Sequence, residues 1–489
     1  MFYAIFFTLA VLAILAMYFT KAYKSENPVV DKVLKIVCVV WMALYFLNLF
    51  LPDGFVLRTY DDISIYQTGK GIPYALFRWV REVSFIILPI AIFFKKPLFK
   101  KFVAFAVLPI ALLNVILYFV SIKYYTSPMG AGIMPLRFFN EETKAFFINK
   151  TFRGIYFGVV SFLELMLASF ITLRTGKDLK ISKDWKSILL AIAAFVLIFV
   201  SVIPIYVPQY LSKGYSNVGA GNFDNFKMAT PFHYIWIVGV VIEGVLLTLY
   251  FKKKSYQDRY IVAVVLALSL VLQYNTMFTC VGEITAHRYP FQLCNMAPLF
   301  ILLMLVFRSE KIYHFAIVIN SVGAIIAMAL CDTTPYGVTY VMNIHYIAEH
   351  TNVILVPILC ATLGLFAPLK IKDVKHFIAG FTMYFAFVFI LGGIFTGLKE
   401  TIADPNLAGY WDCNYLYMFN KGDSVKIIGF AGPLFDAKIT LFNFFTISLV
   451  QLVIYVVFLA ICTGAFFLIK LLLGKNKNWE EPLKNELAQ

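Results

Sequence analysis

Stretches of about 20 apolar residues, each long enough to cross roughly 30 Å of hydrocarbon as a helix, recur along the whole chain. That recurrence limits the fold more than any single motif does. In lipid every backbone N–H and C=O must be satisfied internally, so a spanning segment is a helix or a strand of a closed barrel. Unbroken apolar runs select the helix. Thirteen segments qualify: 2–21, 33–51, 82–95, 102–122, 153–173, 187–207, 232–251, 260–280, 290–307, 312–331, 346–367, 376–396 and 442–469. The chain has 489 residues, 61% hydrophobic and 14% charged; soluble domains run at roughly 45–50% and 25%. A soluble enzyme, a disordered chain and a secreted disulfide scaffold are excluded. The expected fold class is an all-α polytopic membrane protein of about thirteen transmembrane helices. Residues 2–21 lack a basic flank and a small-residue cleavage site, so they read as a retained first helix.

The net charge of +15 would suggest nucleic acid in a soluble protein, but its placement gives another meaning. Lys21, Lys24, Lys32, Lys35, Lys95, Lys96, Lys100 and Lys101 fall in alternate loops with Arg174, Lys177, Lys180, Lys183 and Lys186. The same side takes Lys252, Lys253, Lys254, Arg259, Arg308, Lys311, Lys370, Lys372, Lys375 and the C-terminal lysines. By the positive-inside rule these loops are cytoplasmic. Thirteen spans then place the N-terminus outside and the C-terminus inside, in a multi-pass cell-membrane protein with no nucleic-acid partner.

The hydropathy rhythm suggests an internal repeat. The opening span, lysine-rich loop and second span parallel the segment from His233, and the stretch from Arg78 parallels that from Arg288. The expected organisation is two parallel six-helix repeats plus one C-terminal helix. Residues 1–215 form the first bundle and 216–475 a seven-helix domain with an outer loop at 397–441. A tail follows at 476–489. Small residues such as Gly239, Gly244, Gly392 and Gly393 are the expected packing points between helices. All six histidines lie at or beyond residue 233, and Ser84 stands where the second half has Cys294. A reactive centre, if present, belongs to the second half.

Polar groups inside a bilayer are functional candidates by default. They gather at the outer end of the second half. His287, Arg288, Gln292, Cys294 and Asn295 cluster around the outer start of the ninth span. Asp332 follows the tenth, and His345, Glu349 and His350 open the eleventh. Helical rise puts Cys294 and His350 level, each about one turn below the surface. A thiol becomes a useful nucleophile beside a base. The competing reading is a buried cysteine that only packs and histidines that only hydrogen-bond. Asp332, His345 and His350 also have metal-ligand chemistry, although no metal or cofactor motif is present. Cys331 or Cys280 with Cys413 is a possible outer disulfide. Glu164 and Glu243, deep in their helices, support an alternative: a transporter or lipid flippase with its site between the repeats.

The residues Pro290-Phe291-Gln292-Leu293-Cys294-Asn295, then Tyr313, Gly323, Thr334-Pro335 and Tyr346-Ile347-Ala348-Glu349-His350-Thr351, resemble the core of the YwaF-like integral membrane family. Its pattern is P-L-H-L-C-D, a Tyr, a Gly-rich helix, T-P-D and F-F-x-x-H-G. Animal relatives are acyltransferases that make polyunsaturated ether phospholipids. The resemblance implies Cys294 as acyl acceptor and His350 as general base. Gln292 and Asn295 stand where the family has His and Asp, so the titratable pair is replaced by amides, and His345 or His287 would substitute. The implied partners are a membrane phospholipid and a lipid or lipoprotein acceptor, at a site facing the exterior. The topology has a direct check. A cysteine introduced at Asp404 should react with an impermeant maleimide in intact cells, and one at Lys477 only after permeabilisation.

Overall fold

A computed structural model describes the chain except residues 26, 49–71, 95, 126–141, 143–144, 147–148, 177–178, 180–183, 186–187, 190–225, 281–285, 287–288, 332–340, 423, 425–428, 430, 443 and 474–489. The expected sixth span, His287, Arg288 and Asp332 therefore lie outside the described residues. Each of the other expected spans overlaps a described helix.

In the first half these helices are α1 (Phe2–Thr20), α2 (Pro28–Asn48), α3 (Ile72–Phe93), α4 and α5 (Lys150–Thr175). Helix α4 runs from Pro97–Phe102 through a π turn, Val103–Val107, into Leu108–Tyr125. The second half begins with α6 (Pro231–Phe251), α7 (Tyr256–Cys280) and α8 (Leu293–Phe307). Helix α9 is Glu310–Phe315, a π turn Ala316–Asn320 and Ser321–Leu330. Then come α10 (Val341–Thr362), α11 (Val374–Thr401) and α12 (Leu449–Leu473). Among the described residues, α1, α4, α5, α6, α9, α11 and α12 are long and apolar enough to cross a membrane. The protein is a multi-pass, predominantly helical membrane protein.

Local chemistry sets the helix ends. Asn149 caps α5 by accepting from the Thr151 and Phe152 amides at 2.7 and 3.3 Å, and Ser309 caps α9 by accepting from Ile312. Pro231 occupies the first turn of α6, where its missing N–H leaves nothing unsatisfied. Between α8 and α9, Arg308 takes a left-handed conformation and stacks its guanidinium on Tyr260, 4.5 Å from the ring centre.

Burial separates interior helices from those facing lipid. Only 11% of the apolar window of α6 is buried, against 67% for α9 and 61% for α5. In the first half α1 and α2 pack on α5, and in the second α6 and α7 pack on α10. The π turn starts six residues into α4 and six residues into α9, and α3 and α8 each hold an internal proline, Pro89 and Pro298. Helix α7 is the seam. Its Ile261, Leu268, Val271 and Leu272 join the core of the first half, while Tyr260, Ala263, Ala267 and Leu270 join that of the second. At the lysine-rich end Lys96 meets Asp258 at 3.0 Å across the same seam.

Two expectations about the outer loop need correction. Residues 442 and 444–448, read as part of the start of the last span, lie in a β hairpin and its turn instead. Strands β1 (Lys438–Leu441) and β2 (Phe445–Ser448) pair antiparallel, with Ile439 opposite Ile447 and Thr440 opposite Thr446. β-Branched cross-strand pairs favour this arrangement, and the helix begins only at Leu449. Gly392 and Gly393 do not serve helix–helix packing. They and Gly397 form a bare face of α11 on which Phe419, Phe445 and the Phe444 backbone rest. Gly244 does meet a helix, at Leu355 of α10, whereas Gly239 has open space around it.

A methyl group at Gly397 would collide with the Phe444 carbonyl, which cannot rotate away. Gly397→Ala should lower stability by about 1–3 kcal/mol, read as a fall in Tm in detergent. Gly239→Ala should show no loss.

Candidate active site

The site grows from the first turn of α8. That helix begins at Leu293 rather than Pro290, so Cys294 stands in its first turn, where unpaired amides favour a negative charge. The backbone amides of Asn295 and of Cys294 itself approach the sulfur, and the Sγ donates to Asn295 Oδ1 at 3.6 Å. Cys294 is half-buried.

Helix α10 supplies the opposing groups. One ligand-type atom each from Cys294, Glu349 and His350 lie within 4.8 Å of one another. His350 is 2% exposed and Glu349 4% exposed. The Nδ1 of His350 lies 2.7 Å from the Tyr346 carbonyl. A carbonyl only accepts, so Nδ1 carries the proton and Nε2 is the nitrogen left to accept one. Tyr346 is itself held by donation from its hydroxyl to the Ala327 carbonyl of α9 at 2.6 Å, with its ring centre 4.2 Å from that of His350. Glu349 pairs with His345 at 3.5 Å, one turn earlier on α10. His345 Nε2 thus faces the Glu349 carboxyl, so that carboxyl has a partner on α10 itself.

Other candidates fall elsewhere. Gln292 is spent on the outer loop: its Nε2 donates to the Asn414 carbonyl at 2.8 Å and its Oε1 accepts from the Leu416 amide at 3.1 Å. Tyr313 stacks on Phe366 near the opposite end of the helices, beside Cys360. Cys360 lies ten positions beyond His350 on α10, about 15 Å along the axis at 1.5 Å per residue. Glu164 is buried within the first half, while Glu243 sits on the exposed face of α6, so the two do not share one pocket. Cys331 and Cys413 are free thiols rather than a disulfide.

Tyr384 of α11 had no signal in the sequence. Its hydroxyl donates to the Phe291 carbonyl at 2.8 Å, just before α8, and it is an electrostatic neighbour of Cys294. Phe387 meets Phe291 edge-on at 5.2 Å, and the Tyr415 hydroxyl donates to the Ala286 carbonyl. The segment leading into α8 is therefore clamped by α11 and the outer loop. A thiol on a helix N-terminus, a neutral imidazole with one open nitrogen and a paired carboxylate form a nucleophile–base arrangement.

Residues 228–462 match the family model of the TMEM164 family, a family of membrane proteins. No curated protein and no solved structure matches the chain. The matched region runs from just before α6 into α12 and contains the whole Cys294–Glu349–His350 cluster.

Gln292→Ala leaves a carbonyl and an amide of the outer loop without partners. It should cost about 1–3 kcal/mol and raise the rate of limited proteolysis within 397–441.

Proposed function

We propose that the second half is a thiol-dependent acyltransferase. It would move an acyl chain from a membrane phospholipid, through a thioester on Cys294, to a lipid or lipoprotein acceptor at the outer face of the cell membrane. One observation carries the reading: two helices far apart in sequence bring a half-buried thiol on a helix N-terminus within 4.8 Å of the buried His350. The resemblance of residues 289–360 to the YwaF-like core supports it independently.

In the first step His350 takes the Cys294 proton on Nε2 while the sulfur bonds to the ester carbonyl carbon. The carbonyl electron pair moves to oxygen, and the Asn295 side-chain N–H groups or first-turn amides stabilise the oxyanion, a contribution of about 2.7–4 kcal/mol per donor where such donors have been removed. Collapse breaks the ester C–O bond, and the departing lysophospholipid oxygen takes the proton back from the imidazolium. In the second step the acceptor hydroxyl or amine gives its proton to His350 and attacks the thioester. The C–S bond breaks and the thiolate recovers the proton. Glu349 takes no proton in either step; paired to His345, it positions the start of α10.

Purified protein incubated with alkyne-tagged phospholipid should gain one acyl mass that hydroxylamine removes. Cys294→Ser should abolish the labile adduct. His350→Ala should slow its formation by about 10²–10⁴-fold, the usual worth of a general base. An adduct that persists in Cys294→Ser, or no adduct in the wild type, would overturn the reading.

A further inference from the structure

A second cluster of ionisable groups lies at the lysine-rich end of the same half, away from Cys294. His314 stands on the first turns of α9, Asp373 closes a 3-10 turn, Ile371–Asp373, and His376 opens α11. His314 is 3% exposed and Asp373 6% exposed. The two imidazoles meet edge to edge, with ring centres 5.2 Å apart and planes 9° from parallel, and their Nδ1 atoms face each other at 3.0 Å. One ligand-type atom from each of the three residues lies within 4.8 Å of the other two.

We propose that His314, Asp373 and His376 form a site for a zinc-class divalent ion that fastens the start of α9 to the start of α11. Two nitrogens bound to one tetrahedral zinc at about 2.0–2.1 Å stand about 3.3 Å apart, so the Nδ1 pair needs to open by a few tenths of an ångström and the two rings to tilt until both lone pairs meet at the ion. Asp373 makes the case for an ion rather than a hydrogen-bonded trio. Its Oδ2 accepts from the Lys370 amide at 2.7 Å. The ring nitrogens remain too far for hydrogen bonds: His376 Nδ1 is 3.9 Å from Oδ1, and His314 Nε2 is 3.7 Å from Oδ2. Two convergent imidazole nitrogens, with a buried carboxylate beyond hydrogen-bond distance of the rings but within reach of the same cation, are the donor set zinc takes. Glu310, whose Oε2 lies 3.8 Å from His314 Nε2, faces the nitrogen that does not bind the ion and would orient the ring from behind, while water would complete the coordination. Binding displaces the proton the two Nδ1 atoms share and releases it to solvent. The sequence signal is Glu310-x-x-x-His314 facing Asp373-x-x-His376, two same-face helical spacings.

The test uses the full chain in detergent, in a Cys294→Ser background that removes thiol ligation at the other cluster. After chelator treatment and dialysis, zinc is titrated against a chromophoric competitor, and cobalt(II) is added in parallel for its visible absorption. The proposal expects about one ion per chain and an intense tetrahedral cobalt spectrum with no thiolate band. It also expects zinc to raise the Tm, because an ion bound only to the folded state stabilises it. His376→Gln, at a partly exposed position, should weaken zinc by more than the roughly 10–100-fold that loss of a mere outer partner costs. His345→Gln should leave it unchanged. Zinc that does not bind the Cys294→Ser protein, or that binds equally to His376→Gln and Asp373→Asn, would overturn the site. The Tm of each zinc-free variant shows that it is folded.

Discussion

Helix α10 is surrounded, and a polar helix surrounded by other helices in a membrane has to satisfy its side chains sideways. It packs against α6, α7, α8 and α9, and each contact includes a polar link. Trp236 of α6 donates to Thr351 at 2.8 Å, and Thr248 meets Thr362 at 3.0 Å. Arg259 of α7 donates to the Leu363 carbonyl just beyond the helix, at 2.6 Å. Tyr346 donates to Ala327 of α9, and His350 faces Cys294 of α8. An unmatched group here would cost several kcal/mol, so the position and rotation of α10 are tied to all four neighbours together. The same ties hold the His350 imidazole beside the Cys294 thiol.

The first half has helices in comparable places but no such cluster of thiol, carboxyl and imidazole among its described residues. Its α5 occupies the central place that α10 has in the second half, and α4 carries a π turn at the position where α9 does. But Ser84 stands where Cys294 is expected, and it is fully buried. Glu82, Arg153 and Glu164 of this half are buried within its helices. Through Ile261, Leu268, Val271 and Leu272 of α7 the first half braces the second. A shift of α7 would reach α10 directly, so the first half bears on the site through packing.

The outer loop is part of the fold rather than a flap over it. Phe419, Phe445 and the Phe444 backbone fill the glycine face of α11, which only residues without a Cβ can offer. Gln292 and Tyr415 bind the loop to the chain leading into α8. The first turn of α8, with its thiol, is thereby set by α11 and the loop as well as by α10. The loop is thus a second support for the first turn of α8.

The sequence by itself determined that this is a helical membrane protein and where most of its helices lie, because the hydrocarbon phase demands apolar length and leaves a plain record of it. It also marked Cys294, Glu349 and His350, since ionisable residues in apolar helices stand out. It misjudged Gln292, whose amide spacing is as consistent with binding a loop as with holding an oxyanion. It gave no sign of Tyr384, one aromatic among many on α11. The His314–Asp373–His376 cluster went unread because two short spacings mean little until their helices meet. Only the tertiary structure decided which faces turn toward one another, that residues 442 and 444–448 lie in a hairpin and its turn, and that Glu243 faces outward while His350 is enclosed. Hydropathy reports depth along a helix and is silent on rotation about its axis; rotation is settled by packing against neighbours that the local sequence does not name.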